Sequence, residues 1–141
     1  MKRSASAEWQ GSLRDGKGTI SVASGLFENA QYSFSTRFEN SVGTNPEELI
    51  GAAHAGCYSM AFSAALGEAG FTPESVKTTA TVSLEKDDAG FSITAVHLVM
   101  SARVPGLDQA TFEKVATGAK EGCPVSRVLN ATITLDATLE G

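Results

Sequence analysis

Nineteen consecutive residues, Leu49 to Gly67, carry no formal charge, and any fold of this chain must find cover for them. Only four of them (Leu49, Ile50, Phe62 and Leu66) are the Leu, Ile, Val or Phe on which lipid-facing helices are built, and the rest are mainly Ala, Gly, Ser and single polar residues. That composition predicts a helix buried in protein rather than in a membrane. Its start is written in Thr44-Asn45-Pro46-Glu47-Glu48: a cap residue, a proline suited to the first helical position and two acids that complement the N-terminal dipole. Asn45 with Glu48 three residues later reads as a capping box in which Asn stands in for Ser or Thr. The helix is expected to run to Ala69 and to end at Gly70.

On either side of it the period changes to that of strands. Ala5 to Trp9, Gly18 to Ala23 and Tyr32 to Phe38 alternate with the glycine turns Arg14-Asp15-Gly16 and Ser24-Gly25, which predicts an antiparallel meander. Beyond the helix, Val76, Thr78, Ala80, Val82 and Leu84 share one face and Lys77, Thr79, Thr81, Ser83 and Glu85 the other. Asp87-Asp88-Ala89-Gly90 predicts a hairpin turn and Phe91 to Val104 a returning strand, which Pro105-Gly106 stops. Asp108 is placed to cap a helix through about Lys120, Cys123-Pro124 starts another, and Ala131 to Leu139 alternate as a half-buried strand. No internal repeat or linker interrupts the pattern, so one domain over residues 1–141 is expected. At that length a chain buries roughly 70% of its unfolded surface, enough to fold without a metal or a disulfide.

The net charge is −5 with a pI near 5.0, and the eleven basic residues are spread along the chain rather than gathered into a stripe, which argues against a nucleic-acid partner. Met1 to Gln10 lacks the apolar stretch of a secretory signal, so a cytoplasmic location is expected, where a transient catalytic disulfide is more usual than a permanent one.

The two cysteines, Cys57 and Cys123, therefore serve another purpose or none. Cys57, mid-helix among small neighbours, reads either as a buried free thiol acting as a small hydrophobe or as a reactive thiol; a helix midpoint offers no dipole, so reactivity requires a nearby cation. Cys123, in Gly122-Cys123-Pro124, faces the free N–H groups of a helix start and is on that ground the more acidic thiol, or else a plain turn residue. Glu47 precedes Cys57 by ten residues, about 15 Å along a straight helix and on a different face. If both serve one site the acid comes from a second subunit; otherwise Glu47 is an ordinary first-turn acid. Arg37, at the end of the third strand, and Arg14, in a turn, are the candidate cations, each with the alternative of a solvated surface charge. Arg103 and Arg127 fit that surface role best. His54, three residues before Cys57, shares its face and with Cys123 and His97 completes a nominal Cys2His2 set, but zinc ligands come in two tight pairs and these do not, so no metal is expected. Phe62, Phe71 and Phe91 are assigned to the core in preference to a pocket.

The string Asn45-Pro-Glu-Glu-Leu-Ile-Gly-Ala-Ala-His-Ala-Gly-Cys57, with Gly122-Cys-Pro-Val-Ser-Arg-Val-Leu129, resembles the OsmC/Ohr family and most of all its OsmC branch. The resemblance covers nearly the whole chain, including Gly16-Lys-Gly-Thr19, Thr36-Arg-Phe38 and Gly67-Glu-Ala-Gly-Phe-Thr-Pro73. It implies an α+β fold, two antiparallel sheets around two central helices, assembled as an intertwined homodimer with two interface sites. It implies a peroxidase for organic hydroperoxides and, less well, hydrogen peroxide, with Cys57 peroxidatic, Cys123 resolving, Arg37 stabilising the thiolate and Glu47 from the other chain holding the guanidinium. Arg14 is the alternative for the cation, since Ohr members carry theirs in an amino-terminal turn. A small dithiol, of lipoyl type rather than thioredoxin, is the implied reductant; no cofactor is implied, and Met60 is a candidate for an apolar substrate pocket. The rival classes are a non-catalytic stress or interaction protein with two buried cysteines, and a disulfide reductase, which normally carries Cys-x-x-Cys.

Overall fold

The strands build two three-stranded sheets, and in sequence the long apolar helix falls between them. The computed structural model describes all residues from Met1 to Gly141, which divide into two units, Met1–Leu49 and Ile50–Gly141.

In the first unit β1 (Ala5–Gln10), β2 (Lys17–Val22) and β3 (Ala30–Tyr32) form an antiparallel sheet in that order. Trp9, Gly18 and Tyr32 lie in one cross-strand row. A Cβ on Gly18 would stand 2.4 Å from the Tyr32 ring, so only glycine lets the Trp9 and Tyr32 rings meet across β2, centroids 5.4 Å apart. The expected third strand, Tyr32 to Phe38, is corrected: pairing stops at Tyr32, and Phe34–Phe38 is a short helix, α1. The reason is local chemistry. Thr36 N–H donates to Ser33 Oγ (3.3 Å) while Ser33 N–H donates to Thr36 Oγ1 (2.8 Å), a reciprocal cap that overrides the strand preference of the flanking aromatics.

Helix α2 (Pro46–Glu68) begins at the end of the first unit, and its body belongs to the second. Asn45 Oδ1 accepts from Glu48 N–H at 2.8 Å, and Gly70, at φ +88°, supplies the left-handed residue after the helix. The second unit continues with β4 (Ser75–Asp87), β5 (Gly90–Arg103), α3 (Gln109–Gly122), α4 (Pro124–Val128) and β6 (Thr132–Leu139). Asp108 caps α3 as expected, accepting from Thr111 N–H at 2.9 Å. The fold is α+β, but the second sheet, ordered β4-β5-β6, is mixed: β5 pairs with β6 in parallel, which corrects the expectation of purely antiparallel sheets. Two parallel neighbours need a crossover, and α3 with α4 provides it.

The core lies on one face of this sheet. Val96, Leu98, Met100 and Ala102 of β5 are buried against Tyr58, Phe62 and Leu66 of α2 and Phe112, Ala116 and Ala119 of α3. Phe62 meets Phe112 edge to face, centroids 5.8 Å apart, and the Tyr58 hydroxyl donates to the Ala116 carbonyl at 3.1 Å. Phe71 packs partly buried against this cluster, whereas Phe91 is 55% exposed beside the hairpin, with Lys86 Nζ 5.7 Å from its ring, so its assignment to the core is corrected. By length and composition α2 passes for a membrane-crossing helix, yet its Gly51, His54, Tyr58, Phe62, Leu66 stripe is packed inside protein and includes a buried imidazole. Because Phe62 is fully buried between two other rings, Phe62→Ala should lower unfolding free energy by about 3–5 kcal/mol in urea titrations at fixed protein concentration.

Candidate active site

Pro124 disfavours helical geometry in the residue before it, so the chain breaks at Cys123, which is both the last cap of α3 and the first of α4 (φ −57°, ψ 124°). Its N–H donates to Ala119 and its carbonyl accepts from Arg127 N–H, which fixes the backbone while the fully buried side chain turns inward. Midway along α2, one position off the buried stripe, stands the partly exposed Cys57. The two sulfurs, 66 residues apart in the chain, are 2.9 Å apart in space. A disulfide bond is about 2.05 Å long, so a shift of roughly an ångström joins them.

The environments of the two thiols differ in sign. Burial pushes the Cys57 thiol above its ordinary range, the neighbouring Cys123 adds to this through its hydrogen bond and its charge, and the Val125 N–H opposes without prevailing. Burial also opposes ionisation of Cys123, but hydrogen bonds from the Cys57 thiol, the N–H and hydroxyl of Ser126 and the Val125 N–H outweigh it and bring Cys123 below its ordinary range. Within the second unit Cys123 is therefore the thiol that gives up its proton more readily, and Cys57 the one that holds it more tightly. Burial, then the Cys123 charge, pushes the Tyr58 phenol far up, which keeps it neutral.

His54 is buried with Nε2 2.7 Å from Ser126 Oγ, and its Nδ1 has no partner. His97 projects from the solvent side of β5, where it bonds Thr134 Oγ1 (2.6 Å) and Asp136 Oδ2 (3.1 Å). The four nominal zinc ligands are thus not gathered at one point. Ser126, which meets His54, escaped the sequence reasoning, since no local pattern marks a contact 72 positions away in the chain.

In the first unit, Asn45 ties two elements together: its Nδ2 donates to the Thr36 carbonyl at 3.1 Å while its Oδ1 caps α2. This sets Arg37, in the last turn of α1, against Glu47, in the first turn of α2. The guanidinium grips the carboxylate through Nη2 to Oε1 (2.7 Å) and Nε to Oε1 (3.1 Å) and Oε2 (3.3 Å). The expectation that Glu47 would reach the arginine from another chain is corrected: the pair forms within one chain, because the Asn45 bridge brings the two turns together. Arg14 instead lies over the Phe34 ring, 4.9 Å from its centroid. Beside Arg37 opens a cavity of about 210 Å³ lined by Trp9, Leu13, Tyr32, Ser33, Phe34 and Phe38. Met60, assigned to an apolar pocket, is 76% exposed on α2.

Residues 38–138 match the family model described as OsmC-like protein, a span that contains Glu47, Cys57 and Cys123 and begins one residue after Arg37. The chain is 56% identical over 140 residues to the peroxiredoxin OsmC of Escherichia coli strain K12, covering 99% of this chain and 98% of that protein. It is 32% identical over 98 residues to the organic hydroperoxide resistance protein of Xanthomonas axonopodis pv. citri, covering 69% and 67% of the two chains. Among solved structures, an OsmC-like protein from Vibrio cholerae superposes with a TM-score of 0.77 at 20% identity, covering 97% of this chain and 99% of that one. OhrB of Bacillus subtilis superposes with a TM-score of 0.69 at 23% identity, covering 95% and 97%.

Proposed function

The chain belongs to the OsmC-like protein family, and from that premise we propose that it is a thiol peroxidase that reduces organic hydroperoxides and, less efficiently, hydrogen peroxide. The observation that carries the reading is the meeting of two free thiols from distant parts of the chain, 2.9 Å apart, one partly exposed and one buried.

Accessibility assigns the roles. A peroxide reaches only the sulfur that solvent reaches, so Cys57 attacks although Cys123 ionises more readily in the isolated pair. Cys57 gives its proton to solvent and its thiolate attacks the distal peroxide oxygen; the O–O bond breaks, Cys57 keeps the distal hydroxyl as a sulfenic acid, and the alkoxide takes a proton from solvent and leaves as the alcohol. Cys123 then attacks that sulfur, forming the disulfide and releasing water. A small dithiol of lipoyl type restores both thiols by exchange and is itself oxidised to its disulfide.

A thiol pushed up by burial needs a cation, and the Arg37–Glu47 pair is the preassembled candidate. In the proposed working state residues 1–141 act as one OsmC-like domain in an intertwined cytoplasmic homodimer, in which this guanidinium meets Cys57 at the subunit interface. The exposed, uncharged side of α2, with Ala52, Ala53, Gly56 and Met60, supports such an assembly, since a second chain would cover it. The aromatic cavity beside Arg37 suits the organic part of a hydroperoxide.

Reduced protein mixed with cumene hydroperoxide should consume one equivalent and lose two hydrogens in its mass, and a dihydrolipoyl-type dithiol should then sustain turnover. Thiols that stay unmodified in folded protein exposed to peroxide would end this reading.

A further inference from the structure

The mechanism leaves one buried titratable side chain without a task, and it lies one helical turn from the attacking sulfur. His54 precedes Cys57 by three residues on α2, and Ser126 follows Cys123 by three at the start of α4. The two elements therefore meet at two places. At one the sulfurs are 2.9 Å apart, and at the other His54 Nε2 is 2.7 Å from Ser126 Oγ. Three residues of α-helix rise about 4.5 Å, so these contacts stand as neighbouring rungs between α2 and α4. The second rung has a fixed polarity. Burial disfavours the imidazolium, so the ring carries one N–H. Nδ1 is buried without a partner, and a lone pair is left unused there at less cost than an N–H would be. The proton is on Nε2 and donates to Ser126 Oγ.

Helix α4 has little else to hold it. It is five residues long, none of them is buried, no side chain caps its start, and Val125 and Leu129 are only partly buried against the core. Yet its first cap is Cys123, whose sulfur must be presented to Cys57. We propose that the His54–Ser126 hydrogen bond is a latch that holds α4 at the distance from α2 at which Cys57 and Cys123 close into a disulfide, and that it stays made while they close. Closure shortens the sulfur rung from 2.9 Å to about 2.05 Å. That change is small enough for a bond one turn away to remain within hydrogen-bonding distance. In the oxidised protein the S–S bond ties α4 to α2 without help; in the reduced protein the latch does. Removing it frees the reduced form more than the oxidised one, lowers the effective concentration of one thiol at the other, and makes the disulfide easier to reduce. His54 is thus a positioning residue: it takes no proton and touches no reacting atom.

The latch deepens the proposed function, since it serves the step in which Cys123 resolves Cys57, but it can be read without peroxide. When the reduced protein exchanges with oxidised dithiothreitol, the S–S bond of the reagent opens as the Cys57–Cys123 bond forms, and two hydrogens pass to the reagent. Protein equilibrated with set ratios of the two reagent forms, quenched in acid, unfolded and alkylated gives the oxidised fraction by mass, with both sulfurs exposed by the unfolding. Ser126→Ala and His54→Leu should each lower the equilibrium constant for closure by roughly three- to tenfold, as expected for one uncharged hydrogen bond. That is up to about 30 mV for a two-electron couple. The double variant should lose no more than either single one, because both remove the same bond. Ser126→Thr, which keeps the hydroxyl, and His54→Gln, whose amide N–H falls near the place of Nε2–H, should restore most of the loss. A residue that merely packs would change the stability of both redox forms alike and leave the constant unmoved. Constants unchanged in Ser126→Ala and His54→Leu, or changed in only one of them, would overturn the latch. So would a rise, the sign expected of a hydrogen bond that breaks on closure. Should His54→Leu not fold, Ser126→Ala and its rescue by Ser126→Thr decide the matter. A parent protein that closes its disulfide with dithiothreitol yet is inert to peroxide would refute the proposed function and leave the latch standing; one that closes at no ratio would overturn the latch.

Discussion

Cys57→Ser is expected to abolish peroxide turnover, a loss of at least about a thousandfold in kcat/KM, while Cys123→Ser is expected to keep one stoichiometric burst and lose the cycle. The asymmetry follows from access and order. With Cys57 gone, the remaining sulfur is fully buried, so the protein retains its more acidic thiol and no route for a peroxide to reach it. With Cys123 gone, Cys57 is still partly exposed and still oxidised, but its sulfenic acid finds no thiol 2.9 Å away. It then waits for a second peroxide, which drives it to the irreversible sulfinic state, and trapping with dimedone followed by mass spectrometry would show the adduct on Cys57. The opposite pattern, a burst retained in Cys57→Ser and lost in Cys123→Ser, would mean that acidity outweighs access and that the two roles must be exchanged.

What could be read before the fold was known divides along physical lines. Local chemistry was legible. Asn45-Pro46-Glu47-Glu48 and Asp108 announced the starts of α2 and α3, and the alternation through Val76 to Glu85 announced β4 and its faces. Where two local signals competed the reading failed: Tyr32 to Phe38 has the composition of a strand, and the Ser33–Thr36 cap, worth two hydrogen bonds, turned its second half into a helix. Long-range facts carry no periodicity. Nothing in the alternation of Ala131 to Leu139 tells whether β6 runs with or against β5; that is decided by the crossover through α3. The contact of Cys57 with Cys123 and the proposed role of Arg37 entered only through resemblance to a family, because a separation of 66 positions leaves no trace of which side chains it brings together. The Arg37–Glu47 pair was foreseen as a partnership but placed across two chains. A straight-helix argument about Glu47 and Cys57 is silent on the Asn45 bridge that presents Glu47 to Arg37 of the same chain.

Arg37→Ala should slow the first oxidation of Cys57 at neutral pH on the order of a hundredfold and displace its pH profile upward. The sign follows from the state of the thiol. Burial and the neighbouring Cys123 push the Cys57 thiol up, so the reactive thiolate is scarce at neutral pH and grows as pH rises. A guanidinium beside it favours the charged form, lowers the pH at which the thiolate appears and flattens the profile above that point. Removing the cation returns Cys57 to its unassisted state, in which the rate climbs with pH until the raised pKa is passed, so the variant recovers most of its lost rate in alkaline buffer. Arg37→Lys keeps the charge but cannot reproduce the two-nitrogen grip on Glu47, and it should fall between parent and Arg37→Ala. Glu47→Gln tests the same arrangement from the other side: the guanidinium remains but its orientation relaxes, so the rate should fall by roughly tenfold with a smaller displacement of the profile. Stopped-flow oxidation by an organic hydroperoxide between neutral and alkaline pH, followed by loss of thiolate absorbance, separates these cases. A profile for Arg37→Ala that superposes on the parent would remove Arg37 from the site; Arg14 would then be the remaining candidate, and the same measurement on Arg14→Ala would decide it.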